Sequence, residues 1–262
     1  MTAPRNPKRA RKKEQRRLKI EEEIRQYQAR RRKKLGINAG LLALVVAGVA
    51  FLVFQSRSDK EPDAKPTPKA GGIACGGKKP AKAKVTTEAT PPPMTIDTAK
   101  TYVAVMKTSC GTIEIELDDE KSPNTVNSFV TLARSGFYDG LIFHRLKKDY
   151  ALQGGAPKDD GKGSSNYKVT DVPPADFKYT EGVVAMAKGG GEPPGTSGSQ
   201  FFIVPGANAA RLPAEYAVLG KVINGDAVVA KINKVPTTAS RGGEQSKPLQ
   251  TVYIEKVTIR ES

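Results

Sequence analysis

The run from Phe143 to Pro157 carries the densest chemistry in this chain: a single Arg145 between apolar residues, followed by Tyr150, Gln153 and a Gly154-Gly155 turn. A guanidinium is always charged and presents its N–H donors in a rigid planar fork, so it can hold an electron-rich atom in one place without exchanging a proton. If Leu141–Arg145 and Ala151–Gly155 are strands joined by the polar Lys147-Lys148-Asp149 turn, period-two alternation puts Phe143 and Arg145 on one face and His144 on the other. Taken alone, Arg145 is equally a surface salt-bridge partner for Asp149 or Asp139.

Little else in the sequence can do covalent or metal chemistry. There is one His, no Trp and no Gly-x-Ser-x-Gly elbow, and Cys75 and Cys110 form no Cys-x-x-Cys pair. The Gly155–Gly163 stretch fails as a phosphate loop, because five residues separate Gly155 from Gly161-Lys162 and Gly163 stands where Ser or Thr is required. His144 reads as a structural histidine and Cys110 as a thiol without an imidazole neighbour. No metal and no cofactor are expected.

Three blocks in order, Phe143-His144-Arg145, Gln153-Gly154-Gly155 and Ser199-Gln200-Phe201-Phe202-Ile203, resemble the cyclophilin-type peptidyl-prolyl cis-trans isomerases. The resemblance runs over about Lys100–Ser262 and implies rotation about X-Pro bonds. Those bonds carry a barrier of about 18–20 kcal/mol and interconvert in tens to hundreds of seconds uncatalysed. In the twisted transition state the proline nitrogen regains its lone pair, so a donor aimed there favours that state over either planar one. By the resemblance Arg145 is that donor, and Tyr150, Gln153 and Phe202 complete the catalytic set. Substrate contacts would come from Met186, Ala187, Lys188, Gln200, Leu212 and Tyr216, with the proline ring cupped by Tyr150, Met186, Phe202 and Leu212. Ala187 and Lys188 sit where the family pairs a strand edge with the peptide. Each apolar member is, without the motif, ordinary core. The alternative is a non-catalytic module that binds proline peptides in the same groove.

The chain also departs from the family pattern. Arg211 stands where Trp or Phe is frequent, which removes a cyclosporin contact; Tyr150 replaces Phe, Lys188 replaces Asn and Tyr216 replaces His. The loop Lys188–Gly195 is longer and richer in Gly than usual. An isomerase with altered peptide preference is expected.

The elements that must position these residues are legible as patterns. Thr112–Leu117 alternates Ile113, Ile115 and Leu117 with Glu114 and Glu116, a strand with one wet face. Helix punctuation comes next: Ser122 as N-cap, Pro123 at N1, Val126, Phe129, Val130 and Ala133 on one stripe, and Gly136 as terminator. Apolar runs recur at Tyr102–Met106, Leu141–Arg145, Ala151–Gly155, Gly182–Ala187, Gln200–Val204, Ala217–Val222 and Val252–Ile259, with a second helix at Asp226–Lys234. The class is mainly β, and the resemblance implies a closed eight-stranded antiparallel β-barrel capped by two helices over residues 97–262.

Charge separates this part from the rest. Residues 1–36 carry fifteen Lys/Arg against four Glu (+11), residues 37–96 eight against four acids (+4), and residues 97–262 twenty against nineteen (+1). The excess lies outside the part that can fold, so no nucleic acid partner is expected, although the basic tail 1–34 leaves an RNA or anionic-lipid role open. Residues 35–54 form an apolar run long enough for about 30 Å of bilayer. With Arg30–Lys34 on its N-terminal side, the positive-inside rule predicts a single-pass anchor, the N-terminus cytoplasmic and the domain extracytoplasmic. A cleaved signal peptide fits less well, since the basic region is long and Val53-Phe54-Gln55-Ser56 offers no small-x-small cleavage site. This tail, anchor and tether resemble those of actinobacterial cyclophilins. Residues 55–96 read as a disordered Pro/Ala/Lys tether. An export topology permits a Cys75–Cys110 disulfide, or leaves two free thiols. Expected partners are the membrane and the proline-containing segments of exported polypeptides, with the chain a monomer.

Overall fold

Alternation along the strands sorts the side chains into two apolar layers. In a computed structural model, which describes residues 70–82 and 87–262, twelve strands and two helices succeed one another in chain order. The strands are β1 (Tyr102–Thr108), β2 (Gly111–Leu117), β3 (Phe143–Lys147), β4 (Ala151–Gly154), β5 (Val169–Thr170), β6 (Val183–Met186), β7 (Thr196–Ser197), β8 (Phe201–Ile203), β9 (Val218–Asn224), β10 (Thr237–Ala239), β11 (Gln245–Pro248) and β12 (Ile254–Glu261). The helices are α1 (Pro123–Arg134) and α2 (Asp226–Asn233).

Eight strands form one antiparallel sheet in the order β12-β1-β2-β9-β6-β8-β4-β3, with two small ribbons, β5-β7 and β10-β11, beside it. The inner face buries Ile113, Ile115, Leu152, Val184, Met186, Phe201 and Ile203 against Phe129 and Val130 of α1. The outer face carries a second, smaller cluster of Ala151, Tyr179, Val183, Ala185, Phe202 and Val204. Neighbouring residues thus serve opposite layers, as the pleat requires: Phe201 in, Phe202 out; Val184 in, Ala185 out.

The expected barrel does not close. End strands β12 and β3 share no ladder, and the seam holds only the isolated Ile142–Tyr253 bridge. Backbone bonds from Gly140 N–H to Ile254 O (2.8 Å) and from Phe143 N–H to Val252 O (3.0 Å) flank that bridge. Beyond it the two strands diverge, β12 running along β1 and β3 along β4.

Helix α1 starts at Pro123, and Gly136, in a left-handed conformation (φ 76°), ends its last turn. Ser122 occupies the N-cap position but its side chain makes no capping bond. A distant carboxylate substitutes: Asp171 accepts from the Thr125 N–H at 2.6 Å and from Asn124 Nδ2 at 2.9 Å.

The largest departure concerns the tether. Residues 70–82 and 87–96, expected to be disordered, run along the folded part as a strap. Ile73 makes a parallel bridge to Thr251, Ala74 is fully buried, and Cys75 is disulfide-bonded to Cys110. Farther along, Lys82 Nζ donates to Pro157 O (2.8 Å) and pairs with Asp159. Thr87 meets Asn166, and Asn127 takes Thr95 N–H and Ile96 N–H on its Oδ1 while donating to Pro93 O. Composition alone offers this segment too little apolar area to order it; a covalent link and side-chain bonds to buried Asn127 supply what its own residues lack.

The expected tail 1–34, the apolar run 35–54 and most of the first part of the tether lie outside the described residues. Among the described residues no helix is long and apolar enough to cross a membrane. The single-pass membrane location is not borne out by the described residues, and the apolar run it was read from lies outside them.

Candidate active site

The site is built where β3, β4, β6 and β8 turn their outer faces to solvent. The register of β3 against β4 shifts between Phe143 and Arg145, so the pair Phe143–Gly154 is succeeded directly by Arg145–Gln153. This bulge inserts one residue and re-aims the side chains beyond it. Phe143 is consequently buried in the inner core, whereas Arg145 lies on the outer face, contrary to the expectation that the two share a face. Alternation resumes with Leu146 inside and Lys147 outside.

Arg145, Tyr150, Ala151, Gln153, Ala187, Lys188, Phe202, Leu212 and Tyr216 line one cavity of about 220 Å³. Its apolar wall is made by Phe202, buried and edge-on to Tyr216 at 5.5 Å, together with Tyr150, Leu212 and Ala151. Beneath them lies Tyr179, whose hydroxyl donates to Tyr216 O at 2.7 Å and accepts from Tyr216 N–H at 2.8 Å. Burial raises its phenol to about 12, so it stays a neutral prop.

The polar side is a relay. Arg145 Nη1 donates to Gln153 Oε1 at 3.3 Å, Gln153 Nε2 donates to Gln200 Oε1 at 3.0 Å, and Gln200 Nε2 donates to the carbonyls of Gly161 (3.0 Å) and Gly163 (2.7 Å). The remaining Arg145 donors, Nε and Nη2, run to Glu244 at 2.8 and 3.0 Å. Those hydrogen bonds, with others from Lys147 and Ser246, pull the Glu244 carboxyl down to about 2 against the opposing effect of burial. Lys188 has almost no side-chain exposure; its Nζ pairs with Glu215 at 3.1 Å and lies 5.8 Å over the Tyr216 ring.

Two sequence-based placements need correction. Met186, expected in the proline cup, is buried in the inner core and pairs across with Phe201, so Ala151 takes the wall position instead. Gln200 does not line the cavity; both of its amide hydrogens are committed to the Gly161–Gly163 loop, and it steadies Gln153 from behind. Ala187 lines the cavity, with its N–H donated to Gln200 O at 2.8 Å. Arg211 is exposed and outside the cavity.

Sequence reasoning missed Glu244, Ala151 and Tyr179. Glu244 is ninety-nine residues from Arg145, in a Gly-rich turn whose only visible property is polarity. His144 packs under Gly161, with Nδ1 buried and unpartnered, and burial, then the adjacent Arg145 charge, lowers it to about 4. A larger cavity of about 540 Å³, ringed by Asp118, Asp119, Glu120, Lys121 and Lys221, contains none of the expected residues. Its charged rim is a hydrated surface rather than a cup for an apolar ring.

The model of the family described as cyclophilin type peptidyl-prolyl cis-trans isomerase/CLD matches residues 103–259. Peptidyl-prolyl cis-trans isomerase-like 1 of Neurospora crassa is 37% identical over 163 residues, 61% of this chain and 94% of that protein. Peptidyl-prolyl cis-trans isomerase-like 3 of Gallus gallus is 37% identical over 59% of this chain and 93% of its own length. A crystal structure of a Cryptosporidium parvum cyclophilin type peptidyl-prolyl cis-trans isomerase superposes with a TM-score of 0.55 at 30% identity, covering 61% of this chain and 98% of that one. The same protein has been solved in the presence of the dipeptide Ala-Pro, with a TM-score of 0.54.

These relatives match the folded part over nearly their whole length and so have no large counterpart of the N-terminal region on which the membrane location depends. They are eukaryotic, and the likeness to actinobacterial forms rests on the tail, apolar run and tether, residues 1–96, most of which lie outside the described part. The matched span, the isomerase relatives and the shared fold agree: the chain belongs to the cyclophilin-type peptidyl-prolyl cis-trans isomerases.

Proposed function

We propose that residues 97–262 are the catalytic domain, with 70–82 and 87–96 as its strap, and that Arg145 catalyses isomerisation by donating to the proline nitrogen of a twisted X-Pro imide. The observation that carries this reading is that Arg145 lines the same cavity as the apolar wall of Phe202, Leu212 and Tyr216. A proline ring seated on that wall brings its nitrogen toward the guanidinium. A planar imide nitrogen is a poor acceptor and a twisted one a good acceptor, so the hydrogen bond strengthens only as the bond rotates. Gln153 accepts from Nη1 of the guanidinium, and its amide is in turn held by Gln200. Tyr150 closes the cup, with Lys147 Nζ 4.4 Å from its ring centre.

The substrate class is proline-containing polypeptides, supported by the solved relative studied with Ala-Pro. Lys188, buried at the cavity wall beside Glu215, tunes the residues accepted on either side of proline. The chemistry involves no proton transfer and no covalent intermediate. Exported polypeptides as clients depend on the membrane location, and they fall with it. The test is a protease-coupled isomer assay on the full chain with an Ala-Pro peptide: Arg145→Ala should cost on the order of 10²-fold in kcat/KM, the usual loss for one transition-state donor. Wild-type turnover by that variant would overturn the assignment.

A further inference from the structure

The Arg145 fork has five N–H bonds to give. Three are engaged: Nε and one on Nη2 by the two oxygens of Glu244, and one on Nη1 by Gln153. Two remain, one on each Nη, at the distal end of the guanidinium, which is its free edge. A two-point grip on Nε and Nη2 fixes both the plane of the group and the direction of that free edge. The Gln153 contact alone, at 3.3 Å to a single nitrogen, fixes neither.

Glu244 is itself built into place. It closes the turn of the β10–β11 ribbon, where its carbonyl accepts from Ser240 N–H at 2.7 Å, and β11 packs beside β3. Lys147 Nζ lies 3.0 Å from Glu244 Oε2, so one carboxylate faces two cations. The cluster of Arg145, Lys147 and Glu244 therefore keeps a net charge of +1, and the grip on Arg145 does not cancel the field it presents to the cavity.

We infer that Glu244 is a positioning residue for the isomerisation, holding the free edge of the Arg145 guanidinium toward the cavity while Lys147 preserves the site's positive charge. The inference rests on Arg145 acting on the imide. The two side chains are 28% and 33% exposed and their contact is bidentate, so the pair adds to stability as well; the split of rate from affinity and the dependence on Arg145 separate positioning from a merely structural role.

The test uses the full chain carrying Glu244→Gln or Glu244→Asp, each alone and combined with Arg145→Ala, assayed for kcat/KM, for Ala-Pro peptide affinity and for thermal midpoint. Glu244→Gln should lower kcat/KM on the order of tenfold, as misdirected catalytic groups do, with affinity near wild type and a midpoint lowered by the lost ion pair. Glu244→Asp should recover part of the loss, and Glu244→Gln should cost nothing further once Arg145 is Ala. A wild-type kcat/KM for Glu244→Gln, or the same loss in the Arg145→Ala background, overturns the inference while leaving Arg145 in its role. If Arg145→Ala alone is without effect, the reading beneath it fails and Glu244 with it.

Discussion

The Cys75–Cys110 disulfide can be made to report whether the strap belongs to the folded unit. It joins residues 35 apart in sequence, and the segment 70–82 also bonds Leu249, Thr251, Pro157 and Asp159, all outside the loop it closes. The loop-closure relation gives about 4 kcal/mol of lost unfolded-state entropy for a loop of that length, and native disulfides deliver about 2–5 kcal/mol when removed. Few apolar groups of the strap are buried, Ala74 and Ile96 chief among them, so burial cannot substitute for the bond. The perturbation is Cys75→Ser with Cys110→Ser, and in a second arm the wild-type chain with the bond reduced. Urea unfolding monitored by far-UV circular dichroism should show the midpoint falling by about 1–2 M at an m of about 2 kcal/mol/M. Limited proteolysis should cut within 70–82 first, and turnover of an Ala-Pro peptide should remain near wild type, because neither cysteine touches the cavity. A stability loss under about 0.5 kcal/mol in both arms, within the range of neutral surface changes, would refute the strap as a folded element.

Three individual contacts set further outcomes. Leu212→Ala removes part of the cup and should raise KM about tenfold, the effect of losing contact with roughly two methylenes at ~0.8 kcal/mol each, with a smaller change in kcat. Steady-state kinetics in which kcat falls and KM holds would contradict a binding role for Leu212. His144 is about 4 when folded and 6.5 when unfolded, so the unfolded chain binds the extra proton between those values and stability declines as pH drops from 6.5 to 4. Its neighbours Arg145 and Asp160 pull in opposite directions, and burial dominates both. The slope should approach about 1.4 kcal/mol per pH unit and vanish in His144→Gln, measured by urea unfolding at each pH. Asp171→Ala should cost about 1 kcal/mol as a lost helix cap, and Ser122→Ala less than half of that, because only Asp171 bonds the first-turn donors of α1. The reverse order in thermal melts would contradict that assignment.

Local pattern makes much of this molecule readable before any coordinates. The eight apolar runs are the eight strands of the sheet, and Pro123, the Val126–Ala133 stripe and Gly136 mark α1 where the helix lies. Pattern fails where one residue or one distant contact decides. A single inserted residue at the His144 bulge moves Phe143 and Arg145 to opposite sides of the sheet, and no composition signals a bulge. One step of strand parity exchanges Met186 for an outward neighbour, since a run buried on both faces shows no alternation to read. The strap looks disordered in sequence because its order comes from Cys110, Asn127 and Thr251, none of them local. Proximity in sequence points to Asp149 or Asp139 as the carboxylate partner of Arg145, whereas the grip comes from Glu244. Barrel closure, inferred from resemblance, depends on a seam that carries only one bridge.

The most direct test of the central claim compares what Arg145 does for turnover with what it does for binding. Exchange spectroscopy on an Ala-Pro peptide with wild type and Arg145→Ala gives the isomerisation rate on the enzyme and the affinity from one titration. A donor that acts only on the twisted imide predicts a rate on the enzyme lower by on the order of 10²-fold and an affinity nearly unchanged. An affinity that falls as far as kcat/KM, with the on-enzyme rate preserved, would make Arg145 a binder of the planar peptide and contradict the account.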